Sequence, residues 1–243
     1  MPIERGAHTT WTVLDHGPLR KPTSEIWHVE GALPDMPIRR VMTVARTSDG
    51  RLVVHNPIAL ADPAMAEIEA WGPVSFLLVP NGWHRLDARV YKQRYPGARV
   101  LCPEGSRSRV EKVVGVDGTY DDLPRDEVVQ LAHLDGVKRR EGYMRVSGPS
   151  GTSLVFNDVV FNLPRMPGLF GLVYHLLGSS GRPKVTPLLK LFLVQDKREL
   201  RAQLERLAEL PRLQRVIVMH GQSVEAGDPV GPRELLRAAA SSL

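Results

Sequence analysis

The chain has 243 residues, 42% of them hydrophobic and 24% charged, with 32 Lys and Arg against 27 Asp and Glu for a net charge of +5. That mixture is enough for a sizeable folded core and excludes a fibrous or largely disordered chain. The single cysteine, Cys102, excludes an intrachain disulfide and a cysteine-rich zinc site, and fits a reducing compartment.

"EIWHVEG" and "IRRVMTVARTSDGRLVVHNPI" read as strands, with Asp49-Gly50 as a hairpin signal between two alternating runs. "DPAMAEIEAWG" reads as a short helix, with Asp62 as its N-cap, Pro63 at its first position and Gly72 as its stop. A buried strand from Phe76 to Val79 breaks at Pro-Asn-Gly and reaches His84. A helix from Leu86 to Arg94 follows, stopped by Tyr95-Pro96-Gly97, and "ARVLCP" is another strand. Cys102, at its end, reads as a small buried hydrophobe.

After an irregular stretch to Pro124, "DEVVQLAHL", "EGYMRVSG" and "TSLVFNDVVFN" are predicted strands, and "GPSGTS" from Gly148 is a turn between two of them. Beyond Leu163 the pattern loses its period. The segment Arg165 to Pro187 reads as a flap over a cleft, a homodimer contact, or ordinary core. A helix begins near Asp196 with Leu200, Leu204 and Leu207 on one face, "RVIVMHG" is a strand ending on His220, and a last helix opens near Pro232. No linker composition appears, so residues 1–243 are expected to form one domain of α/β or α+β class.

Several function classes fall away. Acidic and basic residues alternate, as in "RELRAQLERLAEL", and Glu141 interrupts the densest basic cluster, "GVKRREGYMR", which argues against nucleic acid as a partner. There is no G-x-G-x-x-G after a strand, no P-loop and no G-x-S-x-G elbow. The longest apolar-leaning run, "MPGLFGLVYHLL" from Met166, falls short of the ~20 residues a spanning helix needs. The start, "MPIERGAHTTWTV", lacks the apolar core of a signal peptide, so a cytoplasmic protein with no membrane partner is expected.

Three polar groups stand at the ends of apolar runs: His84, Asp158 and His220. Strand ends on one sheet edge can converge on one pocket. Two imidazoles and a carboxylate suit zinc, iron or manganese, and three ligands leave room for water and substrate. Each of the three also has an ordinary reading, as a hydrogen-bonded or turn-capping residue.

In order and surroundings these residues resemble the metallo-β-lactamase superfamily, a four-layer αββα sandwich. There, a strand leads into H-x-H-x-D-H, then a helix, then a "YP-x-A-x-V" strand; here "VPNGWH" is followed by a helix and "YPGARV". The resemblance puts His84 on the motif's last histidine, and Val79, Asn81 and Trp83 where the other two histidines and the aspartate belong. "TSLVFNDVVFN" resembles the element whose aspartate bridges two metals, with Asn157 for its glycine and Asp158 as the aspartate. "VIVMHG" supplies His220, "DGRLVVHNPI" resembles the first hairpin, and Gly136-Val137 stands where a middle histidine would be. The resemblance thus implies a branch with a degenerate motif. Its two-metal site is reduced to one divalent cation on His84, Asp158 and His220, or to none. Trp83 fills vacated volume or lines a pocket, and Asn81 orients water or donates to an oxyanion. Two functions follow: metal-dependent hydrolysis of a small molecule, or a non-catalytic descendant that binds a ligand or partner.

Overall fold

The computed structural model describes residues 7–243. The first sheet is built from β1 (Ile26–Leu33), β2 (Met36–Arg46), β3 (Leu52–His55), then, after helix α1 (Asp62–Trp71), β4 (Val74–Leu78). Helix α2 (Ala88–Arg94) leads to β5 (Arg99–Cys102), and the short α3 (Arg107–Val110) to β6 (Gly118–Thr119). These six strands lie side by side in chain order. Pairing is antiparallel as far as β3 and parallel from β3 onward, where the connections are long enough to cross over.

The second sheet opens with β7 (Val129–His133), β8 (Gly142–Gly148) and β9 (Gly151–Phe156), which pair antiparallel. Helices α4 (Gly168–Leu176), α5 (Pro187–Phe192) and α6 (Lys197–Ala208) then lead to β10 (Leu213–Val218), parallel to β9; β11 (Val224–Glu225) and α7 (Pro232–Ser241) close the chain. "GPSGTS" is the β8–β9 turn, with Gly151 at φ 105°.

Alternation along the strands sorts the core into three layers. On β2, Met42 and Val44 face outward to Met65 and Ile68 of α1 and to Ala88 and Tyr91 of α2. Val41 and Ala45 face inward, with Val53, Phe76 and Leu78, and meet Met144, Val146, Val155 and Ile217 of the second sheet. The outer face of that sheet, Leu154, Phe156, Val216 and Val218, is covered by Leu200, Leu204 and Leu207 of α6 and Leu235, Leu236 and Ala239 of α7. The result is the expected αββα sandwich.

Boundaries moved for local reasons. The first helix opens on Asp62 itself, after an extended Ala61, and no side chain caps it. The second begins at Ala88 rather than Leu86, because Asp87 stands at its N-cap position with its carboxylate committed to Arg40 and His8. The aperiodic stretch after Leu163 contains α4 and α5. Asp196 caps α6 as a predicted helix start should, accepting from the backbone N–H groups of Arg198 and Glu199.

Cys102 ends β5 fully buried, and burial pushes its thiol up to about 12. The thiolate is the reactive form. Cys102 should therefore not react with an aromatic disulfide reagent at pH 8 in the native protein and should react at once in denaturant, as absorbance of the released thiolate would show.

Candidate metal centre

Three segments bring the polar strand ends together. His84 lies in the 79–87 connection after β4, Asp158 two residues beyond β9, and His220 two residues beyond β10. The Nε2 of His84 is 2.9 Å from Asp158 Oδ1, and the Nε2 of His220 is 3.5 Å from the same oxygen. One ligand atom from each lies within 4.8 Å of the other two. All three side chains are at most 10% exposed, so the cluster is largely buried. The Phe161 and His84 rings flank the His220 imidazole, with centroids 5.2 and 5.1 Å away.

Each donor is oriented by a neighbour. His220 Nδ1 lies 2.7 Å from the Arg39 carbonyl, which only accepts; that nitrogen therefore carries the proton and donates, leaving the Nε2 lone pair aimed at Asp158. Asn81 holds the other carboxylate oxygen: its Nδ2 donates to Asp158 Oδ2 at 2.6 Å and to Glu141 Oε2 at 3.2 Å. Its Oδ1 accepts from the backbone N–H groups of Trp83 (2.8 Å) and His84 (3.1 Å), which fixes the turn that presents His84. Both amide protons and both oxygen lone pairs of Asn81 are thus engaged.

Glu141 escaped the sequence reading, where it counted only as a break in a basic run. It is fully buried, and its Oε1 accepts from Val159 N at 2.7 Å, beside Asp158. Burial, and then the Asp158 charge, push its carboxyl well above the usual range. Asp158 goes the opposite way. Burial alone would raise it, but facing His84 and His220 and the hydrogen bonds from His84 and Asn81 outweigh burial and hold it at about 2. Burial, followed by the His84 charge, depresses His220 to about 4. At neutral pH the centre therefore offers an ionised Asp158 and a neutral His220, with Glu141 behind them pushed toward its protonated form.

β2 holds both histidine segments. Its Arg39 carbonyl accepts from His220, and the Val41 N–H donates to the Met219 carbonyl at 3.1 Å. The Arg40 guanidinium, 1% exposed, pairs with the equally buried Asp87, three residues past His84. Asp87 also accepts from Ala59 N at 3.2 Å and contacts His8 Nδ1 at 2.6 Å.

The other sequence positions carry no ligand. Val79 is buried in the outward-facing core. The Trp83 indole packs partly buried against the second sheet's core, with the Arg109 guanidinium 5.4 Å from its ring centroid. Gly136, at φ 72°, gives its carbonyl to Gln195 and Asp196 N–H groups, and Val137 is core. The donor set fits one cation, since two imidazoles and an ionised carboxylate converge on one point, and these positions supply nothing for a second. A surface hollow of about 750 Å³ is lined by residues of α6 and α7, among them Arg206, Glu209 and Arg237, and shares none with the cluster.

No protein-family model matches the chain, and no curated protein sequence does. Solved structures do. A metallo-β-lactamase from Hirschia baltica is 14% identical, with 93% of this chain covering 97% of that one at a TM-score of 0.55. One from Pontibacter korlensis is 14% identical over 92% and 96%, at 0.56. One from Erythrobacter litoralis is 13% identical over 93% and 96%, at 0.59. The chain has the metallo-β-lactamase fold. The likeness extends over nearly the whole length of each chain, so the αββα layers belong to one shared architecture.

Proposed function

We propose that this metallo-β-lactamase-like protein binds one divalent cation on His84, Asp158 and His220 and uses it to hydrolyse a small ester, amide or phosphoester. The observation that carries the reading is the orientation of His220. Its Nδ1–H is tied to the Arg39 carbonyl and its Nε2 faces Asp158 Oδ1, the arrangement of an imidazole built to ligate. A bound zinc, iron or manganese ion supplies Lewis acidity and a more acidic water. Asp158 stays ionised and offers Oδ1 while Asn81 restrains Oδ2. Asn81, with its amide engaged, is a positioning residue rather than an oxyanion donor. Glu141, pushed toward its protonated form by burial and then by the Asp158 charge, lessens the negative charge facing Asp158. Phe161 packs its ring beside His220.

A second reading has its own observation: His84 and Asp158 satisfy each other directly at 2.9 Å, so the cluster can stand as a hydrogen-bonded unit in a non-catalytic, ligand-binding descendant. One experiment separates the two. The stripped protein is incubated with Zn²⁺, Mn²⁺ or anaerobic Fe²⁺, desalted, and measured by elemental analysis. About one ion per chain is expected for one of the three, falling to background in Asp158→Ala and His220→Ala. Wild-type protein that retains no metal under any loading abandons the first reading for the second. The metal-loaded protein is then assayed on nitrophenyl esters and phosphodiesters, where His220→Ala should remove turnover.

A further inference from the structure

Between Asp158 and Asp196 the chain contains no acidic residue, and it carries Arg165, Arg182, Lys184 and Lys190; these four cations compare with a net charge of +5 for the whole protein. The same segment holds nine of the eleven exposed large hydrophobic residues among the described ones, led by Leu169 (75%), Leu176 (76%) and Leu191 (76%). In α4 only Gly171 is buried. The end of α4 meets the start of α5, since a Cβ at Gly178 would stand 3.2 Å from Pro187 Cγ. Lys190 is depressed by partial burial and then by Lys197, Lys184, Arg182 and Arg201, so Arg182, Lys184 and Lys190 share one positive field, and Arg165 lies beside Arg182, its Nε 3.6 Å from where a Cβ at Gly181 would stand.

We propose that this face docks edge-on against an anionic lipid bilayer, with the α4–α5 leucines and phenylalanines in the boundary between headgroups and acyl chains and Arg165 and Arg182 on lipid phosphates. Among the described residues no helix is long and apolar enough to cross a membrane, and α4 has nine residues. Lying in the interface needs no spanning length; it needs an apolar face flanked by cations. Charge decides between a bilayer and a second copy of the chain. A two-fold interface would set the same cations against each other, with no acidic residue in the segment to pair them. The segment is rooted at the candidate metal centre: Asn162 bridges to Gly221, and the Phe161 ring lies 5.2 Å from His220. Docking would bring the cluster's side of the molecule toward the lipid surface, and it does not depend on metal being bound.

The test is co-sedimentation of the full chain with sucrose-loaded vesicles, either of phosphatidylcholine alone or with phosphatidylglycerol added, alongside light scattering on the free protein. Binding is expected only to the anionic vesicles and should weaken as salt rises. Arg165→Glu/Arg182→Glu should weaken it at least about tenfold. Leu176→Glu/Leu191→Glu, at exposed positions, should abolish it while leaving the thermal melt unchanged. No binding to anionic vesicles overturns the proposal, as does equal binding to neutral ones. So does a wild-type dimer that the leucine substitutions convert to monomer, which would assign the face to a second copy.

Discussion

Asp87→Ala should lower the unfolding free energy by about 3–5 kcal/mol, because it strands a buried guanidinium. Arg40 and Asp87 are each 1% exposed and paired to one another, and Asp87 also serves His8 and the Ala59 N–H. Removing the carboxylate leaves Arg40 with a single acceptor among the described residues, the Pro57 carbonyl at 3.4 Å. The whole pair is worth less than this, since desolvation offsets much of its attraction. Arg40→Met/Asp87→Leu should therefore recover most of the loss, and urea denaturation of the two variants and the wild type closes the cycle. The same substitutions should separate stability from site geometry. Asp87 ties the start of the helix that follows His84 to Arg40 of β2, so metal retention measured below the melting transition should drop in Asp87→Ala even where the protein remains folded. A loss below about 1 kcal/mol would mean that Arg40 finds another partner or reaches water.

What the sequence conveyed follows from which forces are local. Alternation along "VMTVAR" and the spacing of Leu200, Leu204 and Leu207 report which face is buried, so strands, helices and layers could be read. Apolar runs that stop at His84, Asp158 and His220 mark strand ends, and the order of those ends suggested the fold. The partners of those residues are another matter. Glu141 lies in a run of arginines, and nothing local distinguishes a carboxylate that will be fully buried from one that will be solvated; its burial is set by Asn81, 60 residues earlier in the chain, and by Val159. Arg39 serves the site through its carbonyl, which any residue would supply. Arg40 looks like one more surface cation until β2 is paired on both sides. The exposed leucines of α4 and α5 mislead in the opposite direction, since a sequence rich in them reads as core.

Below pH 6.5 the protein should lose stability steeply, and His55 should account for a separable share. His55 ends β3 directly opposite Thr43, on the face that carries Val53 into the layer between the sheets, and it is fully buried. Neither ring nitrogen has a hydrogen-bond partner among the described residues. Burial, and then the His84 charge, depress its pKa to about 3. The sign follows. The unfolded imidazole titrates near 6.5 and the folded one near 3, so between these values the unfolded state binds the extra proton and falling pH favours unfolding. The stability that His55 gives by staying neutral is complete above pH 6.5 and declines by about 1.4 kcal/mol per pH unit below it. His28 and His220, both depressed to about 4 chiefly by burial, add slopes of the same sign over most of that window. Together the three would give about 4 kcal/mol per unit, and Glu141, raised in the folded state, offsets part of it above the ordinary carboxyl value of 4.5, leaving a net loss of stability as pH falls. Urea midpoints measured from pH 8 to pH 4 should show this fall. His55→Leu, which keeps the volume apolar and removes the titration, should take away about 1.4 kcal/mol per pH unit of the slope while leaving His28 and His220 in place. Bound metal should steepen the remainder without touching the His55 share, since a ligating His220 stays unprotonated in the folded state to lower pH while the unfolded chain still takes up the proton. A profile that His55→Leu leaves unchanged would mean that the folded protein can protonate His55 at its ordinary pH.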